Sequence, residues 1–313
     1  MIKLKSVYKT MFWGGTKIRD VLHKDTGELS KIAESWELST HEHGISIIDG
    51  GEYDGKTLNE YFDIIGWEQF GQHAARSRRL PLMIKYIDAK ENLSVQVHPS
   101  DEYASSHSAD CGKNEMWFIL GADKDAFIYL GFNRDVTKEE VKKAVSDGTI
   151  ESLLNKIYVK KGDVYYIPAG TIHAIGAGCL LCEIQQTSDA TYRLYDYNRR
   201  DENGNMRDCR LEDGLAVLNC KRTPVPARKF GTVKSRAKSM LGGIGKLTLI
   251  EHCGDGESMY FFPSAKFVAV LVLEGQGTIL GDELVETAQG DTWMLTEKSM
   301  KVGGKCRMLI VVF

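Results

Sequence analysis

The sequence lacks the marks of several protein classes. No run of about eighteen apolar residues occurs, which leaves no candidate membrane-spanning helix. The opening "MIKLKSVYKTMFWGG" has no apolar core of the kind a signal peptide carries. Charge of one sign is not in excess: 40 basic against 43 acidic residues give a net charge of -3. Without a basic run, there is no electrostatic ground for nucleic acid or an anionic membrane as partner. Cysteine is sparse, scattered and odd in number, at seven, which argues against a disulfide framework and for reduced thiols. Cys179 and Cys182 form a C-x-x-C, but no second pair follows at zinc-finger spacing, and "CLLCEI" reads as a buried strand. The expectation is a cytoplasmic protein, a monomer or weak homo-oligomer, whose partner is a small molecule.

At 313 residues, 42% of them apolar, the chain has room for two modest domains. Most of it reads as short strands between Gly and Asp turns, at 45–48, 82–88, 94–98, 115–120, 126–132, 157–159, 164–167, 179–187 and 191–197. Three helices interrupt them. Thr57 and Glu60 form a capping box that opens the first, about 57–76, and Thr137 and Glu140 repeat the device for the second, about 137–155. The third covers about 211–219. Residues 220–238 are basic, contain two prolines and lack apolar periodicity, which predicts a linker. Beyond it short strands resume. "KKGDVYYIPAG" and "AQGDTWMLTEK" each set a Gly-Asp turn before a strand, so two related β-barrels, over 1–225 and 226–313, are the simplest organisation.

Strand periodicity locates the chemistry. In "LSVQVHPS" one face carries Ser94, Gln96 and His98 and the other Leu93, Val95 and Val97. Such a polar stripe is either the solvated side of an edge strand or part of a site. Glu115 opens the apolar strand "NEMWFIL" on the face of Trp117 and Ile119, where a carboxylate is costly unless paired or metal-bound. His173 follows the turn Pro168-Ala169-Gly170, which fixes its direction. A glutamine oxygen, two imidazoles and a carboxylate suit a borderline divalent cation, zinc first, with a position left open for water or substrate. His41, His43 and His107 sit in polar loops and are expected to be solvated.

The stretch "GDVYYIPAGTIHAIG" fits the second cupin motif through Gly162, Pro168, Gly170 and His173, and "QVH" resembles the first with Gln in place of its leading His. Together with "PLMIKYIDA", "GKNEMWFIL" and "EIQQTSDATYRLYDYNR", the set is similar to the class I phosphomannose isomerases, the zinc-dependent mannose-6-phosphate isomerases, in their short bacterial form. The likeness runs from "WGG" at 13–15 to the C-terminus. Two departures touch no ligand: Ala177 where the cupin motif usually ends in Asn, and "GKN" where longer members carry Pro.

The resemblance implies a mainly β fold of two cupin-like (jelly-roll) barrels, with a few helices inserted in or flanking the first. It implies one Zn2+ per chain on Gln96, His98, Glu115 and His173. It places active-site lysines at Lys85 and Lys113, a serine near the sugar phosphate at Ser94, an arginine at Arg193 and a glutamate at Glu183. Isomerisation through a cis-enediol(ate) needs an electrophile, a base and a phosphate clamp. Arg193, alternating with Tyr195 and Tyr197, suits a phosphate or developing oxyanion. Lys85 interrupts an apolar face and suits phosphate or oxyanion. Glu183, in an apolar run, suits the base, with zinc-bound hydroxide and Lys113 as competitors. The second β unit is expected to be metal-free. Two other readings of the same residues are a metal-dependent cupin oxygenase, for which three His around iron are expected, and a sugar-sensing cupin without turnover.

Overall fold

The structure, a computed structural model, describes residues 1–107, 111–200, 204–224, 236–240 and 246–313. Its first half is built from two antiparallel sheets. One runs in the order Val164–Ile167, Glu115–Ala122, Cys179–Gln186, Leu82–Ala89, Glu34–Leu38, Val7–Lys9; the other Tyr192–Tyr195, Val95–Val97, His173–Ile175, Phe127–Phe132, Leu154–Tyr158. Cys179–Gln186 is buried along its whole length because both faces are covered. Leu180, Cys182 and Ile184 face an outer core, while Cys179 and Leu181 join Ile87, Trp117, Ile119, Ile128 and Ile167 between the two sheets. The parity that sends these apolar residues inward also sends Glu183 inward. Cys179 and Cys182 therefore lie on opposite faces, as free thiols.

The outer face of the five-stranded sheet is covered by Lys138–Ser146 and Leu211–Val217, through Val141, Ala144 and Leu215. Both capping boxes form. The helix expected over 57–76 is three pieces: Leu58–Ile65, a 3-10 turn Trp67–Phe70, and Gln72–Ser77. Gly66 and Gly71 break it, at φ 93 and 98, where only glycine is unstrained. The helix over 137–155 likewise ends at Ser146, with a separate 3-10 turn Ile150–Leu153.

The C-terminal unit is a nine-stranded antiparallel sheet into which the chain's own start is woven: Ile2–Lys5 pairs with Thr292–Leu295 and with Ile47–Ile48. Along Val268–Leu280, Val268, Val270 and Val272 fill this unit's interior, while Ala269, Leu271 and Leu273 face the six-stranded sheet in a shared core with Leu82, Ile84 and Phe118. Glu37, fully buried, sits at that junction. It accepts from Lys24 Nζ at 2.7 Å, Ser35 Oγ at 2.5 Å and Thr292 Oγ1 at 2.5 Å. The two Gly-Asp turns have matching geometry. Asp163 accepts from the Lys160 amide at 3.0 Å, and Asp291 from the Ala288 amide at 3.0 Å. Each carboxylate also takes a hydroxyl, of Tyr165 or Thr287, before its strand begins. The mainly β, cupin-like architecture is thus present in both halves. Most of the linker expected over 220–238 lies outside the described residues.

Candidate active site

Four strands and one turn converge on a buried polar cluster. His173 stands opposite Gln96 in the five-stranded sheet, and Gln96 opposite Arg193. Directly paired residues project to the same side, so this ladder aims all three into the space between the sheets. Glu115 enters from the other sheet, opposite Ile167 and Gln185. The Pro168–Gly170 turn is tied to the end of the Val95–Val97 strand by a bond from the Gly170 amide to the His98 carbonyl at 2.9 Å. Gly170 has φ 81, and a Cβ there would meet the Val217 carbonyl at 3.0 Å, so the turn requires glycine. His173 emerges from this turn fixed.

The metal-ligating atoms of His98, Glu115 and His173 lie within 4.8 Å of one another, and all three residues are buried. Each imidazole has its Nδ1 against a backbone carbonyl, His98 on Ala190 and His173 on Thr171, both at 2.8 Å. Nδ1 therefore carries the proton, and the Nε2 lone pairs point inward, 3.1 Å and 3.6 Å from the Glu115 oxygens. Burial, then the Lys113 charge, pushes the His98 pKa down to about 3; burial lowers that of His173. Burial alone would raise Glu115, yet the Lys113 ammonium beside it holds it well below the usual carboxylate range. Two lone pairs thus face one carboxylate, an arrangement that repels unless a cation lies among them. Lys113 Nζ answers part of this demand, 2.5 Å from Glu115 Oε1 and 3.2 Å from His98 Nε2. Even so, neither Glu115 oxygen accepts a well-aligned hydrogen bond. The Gln96 amide lies 3.4 Å from His173 Nε2, and a half-turn of that amide turns its oxygen toward the cluster. Two neutral imidazoles, a carboxylate and an amide oxygen fit a divalent cation of the zinc type.

Gln96 and Lys113 also line a cavity of about 340 Å³. On its far wall Glu183 lies 2.9 Å from Lys85 Nζ and accepts from Trp117 Nε1 at 2.7 Å. Glu34, which accepts from Trp36 Nε1 at 2.7 Å, lies 3.4 Å from Lys85 on its other side. Burial and the nearby Glu115 raise the Glu183 pKa, against the opposing pull of Lys85. Burial works against the Lys85 charge, but Glu183, Glu34 and Glu115 outweigh it and hold that lysine protonated. At the open end, Arg193 donates from Nε to Ser94 Oγ at 3.2 Å, beside Arg207 and Asp189.

The cavity and the cluster behind it thus gather Lys85, Ser94, Gln96, His98, Lys113, Glu115, His173, Glu183 and Arg193. Three expectations change. His41 is buried, not solvated: its Nδ1 accepts the His43 amide at 3.1 Å, and its Nε2 faces Asp189 at 3.8 Å. Tyr195 does not share the Arg193 face, because a bulge after Arg193 turns it into the core beneath the helices. Leu93 lies before the Val95–Val97 strand begins and lines the cavity instead of alternating with Val95. Glu34, Asp189 and Arg207 were not singled out in the sequence. Glu34 carried a usable signal, a carboxylate alternating with Trp36 in "AESWEL".

Comparison with known proteins gives concordant results. The family model for the type I phosphomannose isomerase catalytic domain matches residues 1–147. The mannose-6-phosphate isomerase ManA of Bacillus subtilis (strain 168) is 42% identical over 293 residues, covering 90% of this chain and 88% of its own. The mannose-6-phosphate isomerase of Streptococcus mutans is 34% identical over 98% of this chain and 96% of its own. The crystal structure of a mannose 6-phosphate isomerase from Bacillus subtilis superposes with a TM-score of 0.85 at 31% identity, covering 99% of this chain and 98% of that one. The chain belongs to the type I phosphomannose isomerase family.

Proposed function

We propose that this chain interconverts mannose 6-phosphate and fructose 6-phosphate through a cis-enediol(ate), with one zinc ion held by Gln96, His98, Glu115 and His173. The observation that carries the reading is the cavity whose lining brings Gln96 and Lys113, at the edge of that cluster, together with Glu183, Lys85 and Arg193. A zinc ion at the cluster supplies Lewis-acid polarisation of the sugar oxygens. Glu183 moves the proton between C1 and C2. Its carboxylate is oriented by Trp117 Nε1, and the upward shift that burial gives its pKa makes it a stronger proton acceptor than an ordinary carboxylate. Lys85 stabilises the charge that develops on the sugar oxygens and keeps Glu183 in place, while Lys113 hydrogen-bonds the oxygen nearest Glu115. Arg193 and Ser94 bind the phosphate and fix the sugar's distance from the base.

The donor set speaks against the oxygenase reading, since one carboxylate and one amide replace imidazoles. A proton-transfer carboxylate beside the cluster speaks against a sensor, which needs none. No helix among the described residues is long and apolar enough to cross a membrane. We place the enzyme in the cytoplasm, as a monomer or weak homo-oligomer. The test is a coupled assay with purified protein: mannose 6-phosphate gives fructose 6-phosphate, chelation abolishes turnover and added zinc restores it. A metal-replete protein that binds the sugar phosphate without turnover contradicts the reading.

A further inference from the structure

The open end of the cavity carries more positive charge than its fold requires. Arg199 and Arg207 gather around one carboxylate, Asp196, whose side chain is 5% exposed. Arg207 gives it Nε and Nη2 at 2.7 and 2.5 Å, a bidentate pair that fixes the plane of the guanidinium. Arg199 gives it Nη2 at 2.5 Å and anchors its Nη1 on the Asn92 carbonyl at 2.6 Å. Phe12, 45% exposed, lies against both, with its ring centre 4.7 Å from the Arg199 guanidinium carbon and 4.9 Å from that of Arg207. The Phe12 ring thereby shields part of both guanidinium groups from water. Arg207, unlike Arg199, lines the cavity together with Arg193 and Ser94. Burial first, and Arg207 after it, disfavours the charge on Arg193. Like charges held together at a pocket wall, on a rigid carboxylate and aromatic support, are a receptor for a multiply charged anion.

We propose that Arg207, held by Asp196 and Phe12, is the specificity-determining residue by which the cavity selects a sugar bearing a phosphate dianion. This rests on the isomerase reading above. In that reading Arg193 and Ser94 meet the phosphate from the strand side, and Arg207 meets it from the loop side as a second charge. One arginine with a hydroxyl already favours a doubly charged group over a singly charged one, and each added guanidinium widens that preference. Phe12 and Asp196 are positioning residues: neither meets the sugar, and both set where the Arg207 plane stands.

The test uses the full-length, zinc-loaded enzyme with mannose 6-phosphate as substrate and inorganic phosphate as competing anion. Arg207→Met is expected to raise KM by ~10- to 100-fold, the range for a lost charge-assisted contact. The inhibition constant for inorganic phosphate should rise by a similar factor, while kcat changes much less and zinc content stays the same. Arg207→Lys should recover part of both constants, because it restores the charge without the fork. Phe12→Leu should raise KM by a smaller factor in the same direction. A wild-type enzyme that isomerises the substrate, with Arg207→Met leaving KM and phosphate inhibition unchanged, overturns the inference alone. A wild-type enzyme without isomerase activity overturns the reading beneath it. A parallel loss of kcat and zinc in Arg207→Lys assigns Arg207 a structural role and also overturns the inference.

Discussion

Glu183 and its partners are where single side chains decide the outcome. The carboxylate is flanked by Lys85 at 2.9 Å and by Trp117 Nε1 at 2.7 Å, and both contacts come from strands bonded directly to its own. Glu183→Gln keeps the shape and removes the base. It should lower kcat by ~100-fold or more with zinc still bound, as steady-state kinetics beside metal analysis will show. Trp117→Phe removes the indole donor together with part of a buried ring, and should cost about tenfold in kcat with little change in KM and some loss of stability. If Glu183→Gln keeps most of its kcat, the base lies elsewhere, Lys113 first. At this scale much was legible in the sequence. Gln96 and His98 share a face by parity alone, and the turn before His173 could be read from Pro168 and Gly170. Arg207 was not legible, because it stands in a loop where no periodicity gives a direction, and only the fold brings it beside Arg193.

Elements show where local signals suffice and where they stop. Both capping boxes form as the sequence pattern predicts, because a Thr hydroxyl and a Glu three residues on satisfy amides that the first turn leaves open. Thr137→Ala should therefore cost about 1 kcal/mol, measured as a lower melting temperature, with isomerase activity unchanged. The lengths of the helices were less legible: Gly66 and Gly71 at positive φ end segments that apolar spacing alone would continue. The loop after Tyr192–Tyr195 is held by charge. Burial would raise the Asp196 pKa, but Arg207 and Arg199 together hold it below the usual carboxylate value. A depressed folded-state pKa stabilises the fold above the unfolded value, about 4, and that contribution fades as pH falls through the folded value. Wild type should therefore exceed Asp196→Asn in stability at pH 7, by a gap that narrows as the pH is lowered to 3. Denaturant midpoints at the two pH values measure this, and a constant gap contradicts it.

Across the whole molecule, the two β units share one apolar core and one buried charge. Glu37 receives Lys24, Ser35 and Thr292, the last from the C-terminal sheet, and the Lys24 amine is itself only 6% exposed. Glu37→Ala leaves that cation buried without a counter-charge and should cost about 3–5 kcal/mol, read from denaturant unfolding. A loss under about 1 kcal/mol would show that the junction rests on apolar contact alone. The matching Gly-Asp turns were readable from two short stretches. The insertion of Ile2–Lys5 into the C-terminal sheet was not, because its partner Thr292–Leu295 lies at the far end of the chain and sequence pattern carries no register between distant strands.

The central claim is that His98, Glu115, His173 and Gln96 hold one zinc ion on which isomerisation depends. Metal stoichiometry by mass spectrometry, taken with turnover of mannose 6-phosphate in the same preparations of wild type and His173→Ala, tests it most directly. The account predicts one zinc per chain with full activity in the wild type, and loss of both in the variant with the fold intact by circular dichroism. Retained turnover in His173→Ala, or stoichiometric iron without isomerase activity in the wild type, would contradict it.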